Sequence, residues 1–183
     1  MGDDDVKVLG ISGSLRKQSY NTALLTVARG LAPAGMAFSE ADLSAIPPYN
    51  EDVYAEGFPD AVATFREQIA TADGLLIASP EYNYGMSGVI KNAVDWASRP
   101  PDQPFDGKPV AMLGASAGKL GTALAQNQLR QVLVGLNARI VSRPQVFISG
   151  AGQIFDENGG LLDDAAKGLI GQLLVSLQDM IAG

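Results

Sequence analysis

Val6-Lys7-Val8-Leu9-Gly10-Ile11-Ser12 reads as a β-strand, and Gly13-Ser14-Leu15-Arg16-Lys17-Gln18-Ser19-Tyr20-Asn21-Thr22 follows it as a stretch dominated by hydroxyls, amides and two cations. Residues 22–32 then carry Leu24, Leu25, Ala28 and Leu31 at helical spacing. A strand, a polar loop and a helix in that order make the first half of a βαβ unit, and the rest of the chain repeats the pattern. Strands are expected at 36–43, 74–79, 110–115 and 139–149. Helices are expected at 60–72 (Val62, Phe65 and Ile69 on one face), 88–98 (Val89, Ala93, Trp96, Ala97), 120–136 and 163–181. Strand starts recur about every 30–38 residues, close to the roughly 30 residues of a βαβ unit. Such alternation predicts a parallel α/β sheet.

The order of the strands follows from their composition. A strand covered on both faces reads as a continuous apolar run. The first, third and fourth expected strands do so and belong in the middle of the sheet. The second, with Ser39, Glu40 and Asp42, is mixed. The fifth contains Pro144, which confines that part of it to an edge or a bulge. With right-handed crossovers, two edge and three central strands give a five-stranded parallel sheet of order 2-1-3-4-5, helices on both faces, the flavodoxin-like doubly wound arrangement. Its ligands bind beyond the carboxyl ends of the strands, between the first and third. The loops after residues 12 and 79, with the one after 115 beside them, are therefore the ones that matter.

Composition narrows the chemistry. The 183 residues suit one domain, 1–183. With 46% hydrophobic and 18% charged residues, the chain is globular. The net charge of −7 argues against nucleic acid or an anionic membrane as partner. The sequence has no Cys and no His. That removes Cys/His metal sites, disulfides, thiol nucleophiles, Ser-His-Asp triads and histidine acid–base work. Chemistry must run on carboxylates, hydroxyls, backbone amides or a borrowed cofactor. No apolar run reaches membrane-spanning length, and Met1-Gly2-Asp3-Asp4-Asp5 is acidic where a signal peptide would be basic. A cytoplasmic protein with a solvated acidic tail is expected.

The first loop carries Arg16 and Lys17 and no acid, offers Ser12, Ser14, Ser19, Asn21 and Thr22 as donors, and runs into a helix N-terminus. Free amides and the helix dipole favour an anion there, and Arg16 can fork two bonds onto a phosphate. The plainer reading is a polar loop whose Asn21 or Thr22 caps the helix. Neither a dinucleotide fingerprint nor a Walker A loop is present; Gly114-Ala115-Ser116-Ala117-Gly118-Lys119-Leu120 is one residue short and lacks the magnesium-binding hydroxyl. A single phosphate suits these hydroxyls best. The second loop, Ser79-Pro80-Glu81-Tyr82-Asn83-Tyr84-Gly85-Met86-Ser87-Gly88, could line a flat apolar ligand with Tyr82, Tyr84 and Met86, and reads equally well as a breaker-rich turn. The third, Ser116-Ala117-Gly118-Lys119, is small and rich in backbone.

Gly13-Ser14-Leu15-Arg16-Lys17-Gln18-Ser19-Tyr20-Asn21 resembles the phosphate loop of the NAD(P)H-dependent FMN reductase family, in its branch of chromate and quinone reductases. Ser79-Pro80-Glu81-Tyr82-Asn83 with Gly88, Lys91-Asn92-Ala93 and Asp95-Trp96 resembles the family's second signature, and the likeness extends to Gly150-Ala151-Gly152-Gln153-Ile154-Phe155-Asp156. The resemblance implies FMN as cofactor and NADPH or NADH as hydride donor. It implies a small-molecule acceptor such as a quinone, free flavin, azo compound or chromate. Carried over by position, Ser14, Arg16, Ser19 and Asn21 would hold the FMN phosphate. Pro80, Glu81, Tyr82 and Asn83 would border the isoalloxazine, and Ser116 would lie near its polar edge. Thr22 and Lys119 are lesser candidates, and no residue is expected to act as acid, base or nucleophile. Hydride transfer needs neither His nor Cys. A flavodoxin-type electron carrier and a flavin-free phosphate-binding domain are the rival readings.

A homodimer or homotetramer is expected, with the helix at 88–98 at an interface, since its apolar stripe could exceed what one sheet face covers. Trp96 would then be core or interface. The stiff Ile46-Pro47-Pro48-Tyr49-Asn50 segment would be a rim of the site or a surface turn, and Arg130 a solvated residue or an interface ion pair.

Overall fold

A computed structural model of the chain describes residues 5–183; most of the acidic tail, residues 1–4, lies outside them. In chain order the elements are β1 (Val6–Ser12), α1 (Tyr20–Gly30), β2 (Met36–Ala41), α2 (Glu51–Ala55), α3 (Asp60–Thr71), β3 (Gly74–Ala78), β4 (Glu81–Tyr82), β5 (Gly85–Met86), α4 (Gly88–Ala97), β6 (Pro109–Ala115), α5 (Ala123–Gly135), β7 (Arg139–Ile140), β8 (Val146–Ile148), α6 (Ala151–Ile154) and α7 (Asp164–Ala182).

The main sheet is parallel throughout and runs β2-β1-β3-β6-β7, with β8 also on β6. This is the order read from composition. β3 and β6 are buried at every position, as strands covered on both faces must be. Alternation along β3 sends Leu76 and Ala78 into one core with Leu24, Leu25, Leu173 and Leu174 of α1 and α7. Leu75 and Ile77 face the other core, with Phe65, Ile69, Trp96 and Leu129 of α3, α4 and α5.

Two departures have physical causes. The expected strand at 139–149 is two short ones, β7 and β8, each paired with a different part of β6. Pro144 lies between them and has no N–H to give the ladder. The expected apolar stripe on α4 is spent inside the chain. Ala93, Trp96 and Ala97 are fully buried, the Trp96 ring meets Tyr49 edge-on with centroids 4.9 Å apart, and its Nε1–H donates to the Pro47 carbonyl at 2.8 Å. Asn92 fastens the same segment, donating to Pro47 O at 2.9 Å and accepting from Tyr49 N at 2.8 Å. Residues 46–50 are thus strapped to α4, and Trp96 is core. Arg130 has no carboxylate partner among the described residues; it donates to Val141 O at 3.4 Å, and burial lowers its pKa. Among the described residues no helix is long and apolar enough to cross a membrane.

Candidate active site

The three loops converge at the carboxyl ends of β1, β3 and β6. Gly13 N donates to Ala78 O at 2.8 Å, Ser79 N to Leu113 O at 3.3 Å, and Ser116 N to Ile148 O at 2.9 Å. Loop one crosses loop two so closely that a Cβ on Gly13 would stand 2.6 Å from Ile90 Cγ1 and 3.0 Å from Pro80 Cδ. Only glycine permits that approach.

The first loop is built as a cradle. Ser19, not Asn21 or Thr22, caps α1: its Oγ accepts from Asn21 N at 3.2 Å and Thr22 N at 3.3 Å. Its hydroxyl hydrogen stays free to donate. Ser12 Oγ and Thr22 Oγ1 are 2.8 Å apart and brace the loop across its base. Ser14 Oγ accepts from Arg16 N at 3.4 Å, and the Arg16 guanidinium rests 5.3 Å from the Tyr20 ring centroid. The amides of Leu15, Lys17, Gln18 and Ser19 reach no acceptor among the described residues. Four unpaired donors, a hydroxyl and a guanidinium at one helix N-terminus fit a phosphate.

Asn21 stands apart from its expected neighbours. Its side chain is buried and makes a two-way bond with one residue of β6, donating to Ala115 O at 3.0 Å and accepting from Ala115 N at 3.0 Å. Asn21 ties the cradle to the third loop; both ends of its amide are engaged there rather than turned into the cradle.

The second loop is a two-residue hairpin, β4 against β5, with Asn83 and Tyr84 at its tip. Both adopt positive φ, 50° and 66°, as a type I′ turn requires. Asn tolerates that region; Tyr pays for it. Tyr82 is 56% and Tyr84 72% exposed. Glu81 is turned the other way. Its Oε2 accepts from Leu124 N at 2.9 Å and Ala125 N at 3.0 Å, capping α5, whose own N-cap Thr122 makes no side-chain bond. Gln128 of α5 adds a bond from Met86 N at 3.2 Å. Pro80 is buried at the root of the hairpin. In the third loop Ser116 Oγ donates to Gly121 O at 2.6 Å and accepts from Gly118 N at 3.2 Å, so it shapes its own turn. Lys119 is exposed. Gln128 carries no sequence signal; the hairpin that would expose it has no Asn-Gly to announce it.

A family model described as NADPH-dependent FMN reductase matches residues 6–153. The chain belongs to that family. An NAD(P)H-dependent FMN reductase of Pseudomonas aeruginosa is 63% identical over 175 residues, covering 96% of this chain and 95% of that protein. A quinone reductase of Escherichia coli is 41% identical over 175 residues, covering 93% of each. Among solved structures, the flavoenzyme NAD(P)H:(acceptor) oxidoreductase of Paracoccus denitrificans superposes with a TM-score of 0.87 at 33% identity, covering 96% of this chain and 97% of that one. This FMN reductase family member is therefore an oxidoreductase that uses FMN with NAD(P)H, on a flavodoxin-like fold.

Proposed function

We propose that the chain delivers electrons from NAD(P)H, by way of FMN, to a quinone, the whole of 1–183 acting as one unit. Ser14, Arg16, the Ser19 hydroxyl and the free amides of the first loop hold the phosphate, with Asn21 keeping the cradle in place. Pro80, Tyr82 and Asn83 border the isoalloxazine, Glu81 fixes the hairpin that carries them, and Ser116 shapes the loop at the polar edge. Bound FMN supplies the hydride chemistry for which this chain has no group of its own.

The observation that carries the acceptor is the pair of exposed rings, Tyr82 and Tyr84, on a hairpin fastened to α5. Aromatic faces favour flat ring acceptors, so quinones, free flavins and azo compounds match them and tetrahedral chromate does not. Steady-state oxidation of NADPH with each acceptor tests this. A quinone should give the highest kcat/KM; a higher value for chromate overturns the acceptor, and no turnover with any of them would make the protein a carrier.

The working form in this proposal is a homodimer or homotetramer. Its support is the apolar surface left open at the loop end, Leu15, Tyr82, Tyr84, Leu120 and Leu124, in place of the α4 stripe. Light scattering at micromolar concentration decides it, a monomer refuting it.

A further inference from the structure

A cavity of about 590 Å³ beside the first loop takes no part in the site above. Arg16, Lys17 and Tyr20 line one side and Phe155, Glu157 and Asn158 the other. No residue of 79–88 or 116–119 lines it, so it lies on the outer flank of the loop, away from the hairpin. It adjoins the cradle, because Arg16, Ser19 and Thr22 border it too. Its volume is that of a small-molecule pocket, about 300–1,000 Å³, far more than one phosphate group fills.

The walls offer three kinds of contact. Lys17 is exposed and forms no ion pair among the described residues, leaving an ammonium for a phosphate. The Tyr20 and Phe155 rings, 5.2 Å apart and inclined by 35°, give an aromatic floor. Glu157 is an exposed carboxylate. Its neighbour Asp156 is already engaged, with Oδ1 accepting from Asn158 N at 2.8 Å and Gly160 N at 2.7 Å. That turn fixes where Glu157 stands.

We propose that this cavity receives the adenosine end of NAD(P)H, and that Lys17 and Glu157 on its opposing walls set the choice between NADPH and NADH. The proposal rests on NAD(P)H being the hydride donor. A dinucleotide with its nicotinamide at the hairpin must run on past the FMN phosphate, and the cavity is the space beyond it. A carboxylate facing a ribose accepts from its 2′-hydroxyl and repels a 2′-phosphate; a cation does the reverse. The two walls therefore pull in opposite directions.

Titration calorimetry on FMN-saturated protein, with ADP and 2′,5′-ADP as probes, tests this. Lys17→Ala should weaken 2′,5′-ADP about tenfold and ADP much less. Glu157→Gln should strengthen 2′,5′-ADP several-fold, a gain that misfolding cannot produce, while the flavin absorbance reports an intact cradle. Equal losses for the two probes in Lys17→Ala, no change in either variant, or release of FMN by the probes would each overturn the proposal. The underlying reading is checked separately. Failure of the wild type to oxidise NADPH or NADH would strike the donor itself, whereas turnover with an NADPH KM unmoved in both variants would strike only the cavity.

Discussion

Arg16 is held over the Tyr20 ring, beside the free amides it is to work with. If it forks onto the FMN phosphate, Arg16→Ala weakens FMN by about 1.5–3 kcal/mol, the range for hydrogen bonds to charged groups. Riboflavin, which lacks the phosphate, should bind almost as before; equal losses would mean the effect is structural. The phosphate also sets the pH response. Its second pKa is about 6, and a cradle with a guanidinium prefers the dianion. FMN affinity should fall as pH drops through about 6, with riboflavin flat and the step retained in Glu81→Gln. With no His or Cys in the chain, a riboflavin step would place the titrating group on the protein and sink the cradle. Tyr84 is the strained residue, at φ 66°. Left-handed backbone costs an L-residue about 1–2 kcal/mol, so Tyr84→Gly should raise the unfolding free energy by roughly 1 kcal/mol while the KM for a quinone rises. A Tyr84→Gly protein no more stable than wild type would show that the ring contributes to the fold. At this scale the sequence told only part of the story. Charge and position marked Ser14 and Arg16, but nothing local shows that Asn21 reaches across to Ala115, or that Ser19 makes the cap.

The hairpin of β4 and β5 and the helix α5 form one mechanical unit. Glu81 supplies the cap that Thr122 does not, and Gln128 holds the returning strand. Charge-assisted bonds at a helix N-terminus matter for stability. Glu81→Ala should lower the unfolding free energy by about 1.5–3 kcal/mol, with Glu81→Gln recovering part of it. An alanine variant melting like wild type would return Glu81 to a purely ligand-facing role. The hairpin was not legible because its turn uses Asn83-Tyr84 instead of a glycine pair, and two-residue strands have no periodicity to read. The short α2 and α6 escaped for the same reason. The break between β7 and β8 was half legible, since Pro144 marked the strand as irregular without showing that it would split.

The order of the whole sheet was legible because burial on both faces writes itself into composition. β1, β3 and β6 are apolar runs and are central; β2 is mixed and lies at the edge. What composition could not say is which apolar stripe is left over once the chain has packed. Trp96 shows the difference, since the side chain that invited an interface on α4 is closed over by residues 46–50. It is also the chain's one tryptophan. An indole in so dry a setting emits at short wavelength, and that emission overlaps the near-ultraviolet absorption of oxidised flavin. The molecule thus carries its own optical gauge. FMN binding should dim the indole in proportion to filled sites, cofactor release should restore its brightness without a colour change, and only unfolding, which opens the strap over α4, should move the band to the red. A red shift on simple removal of FMN would mean that the strap opens with the site.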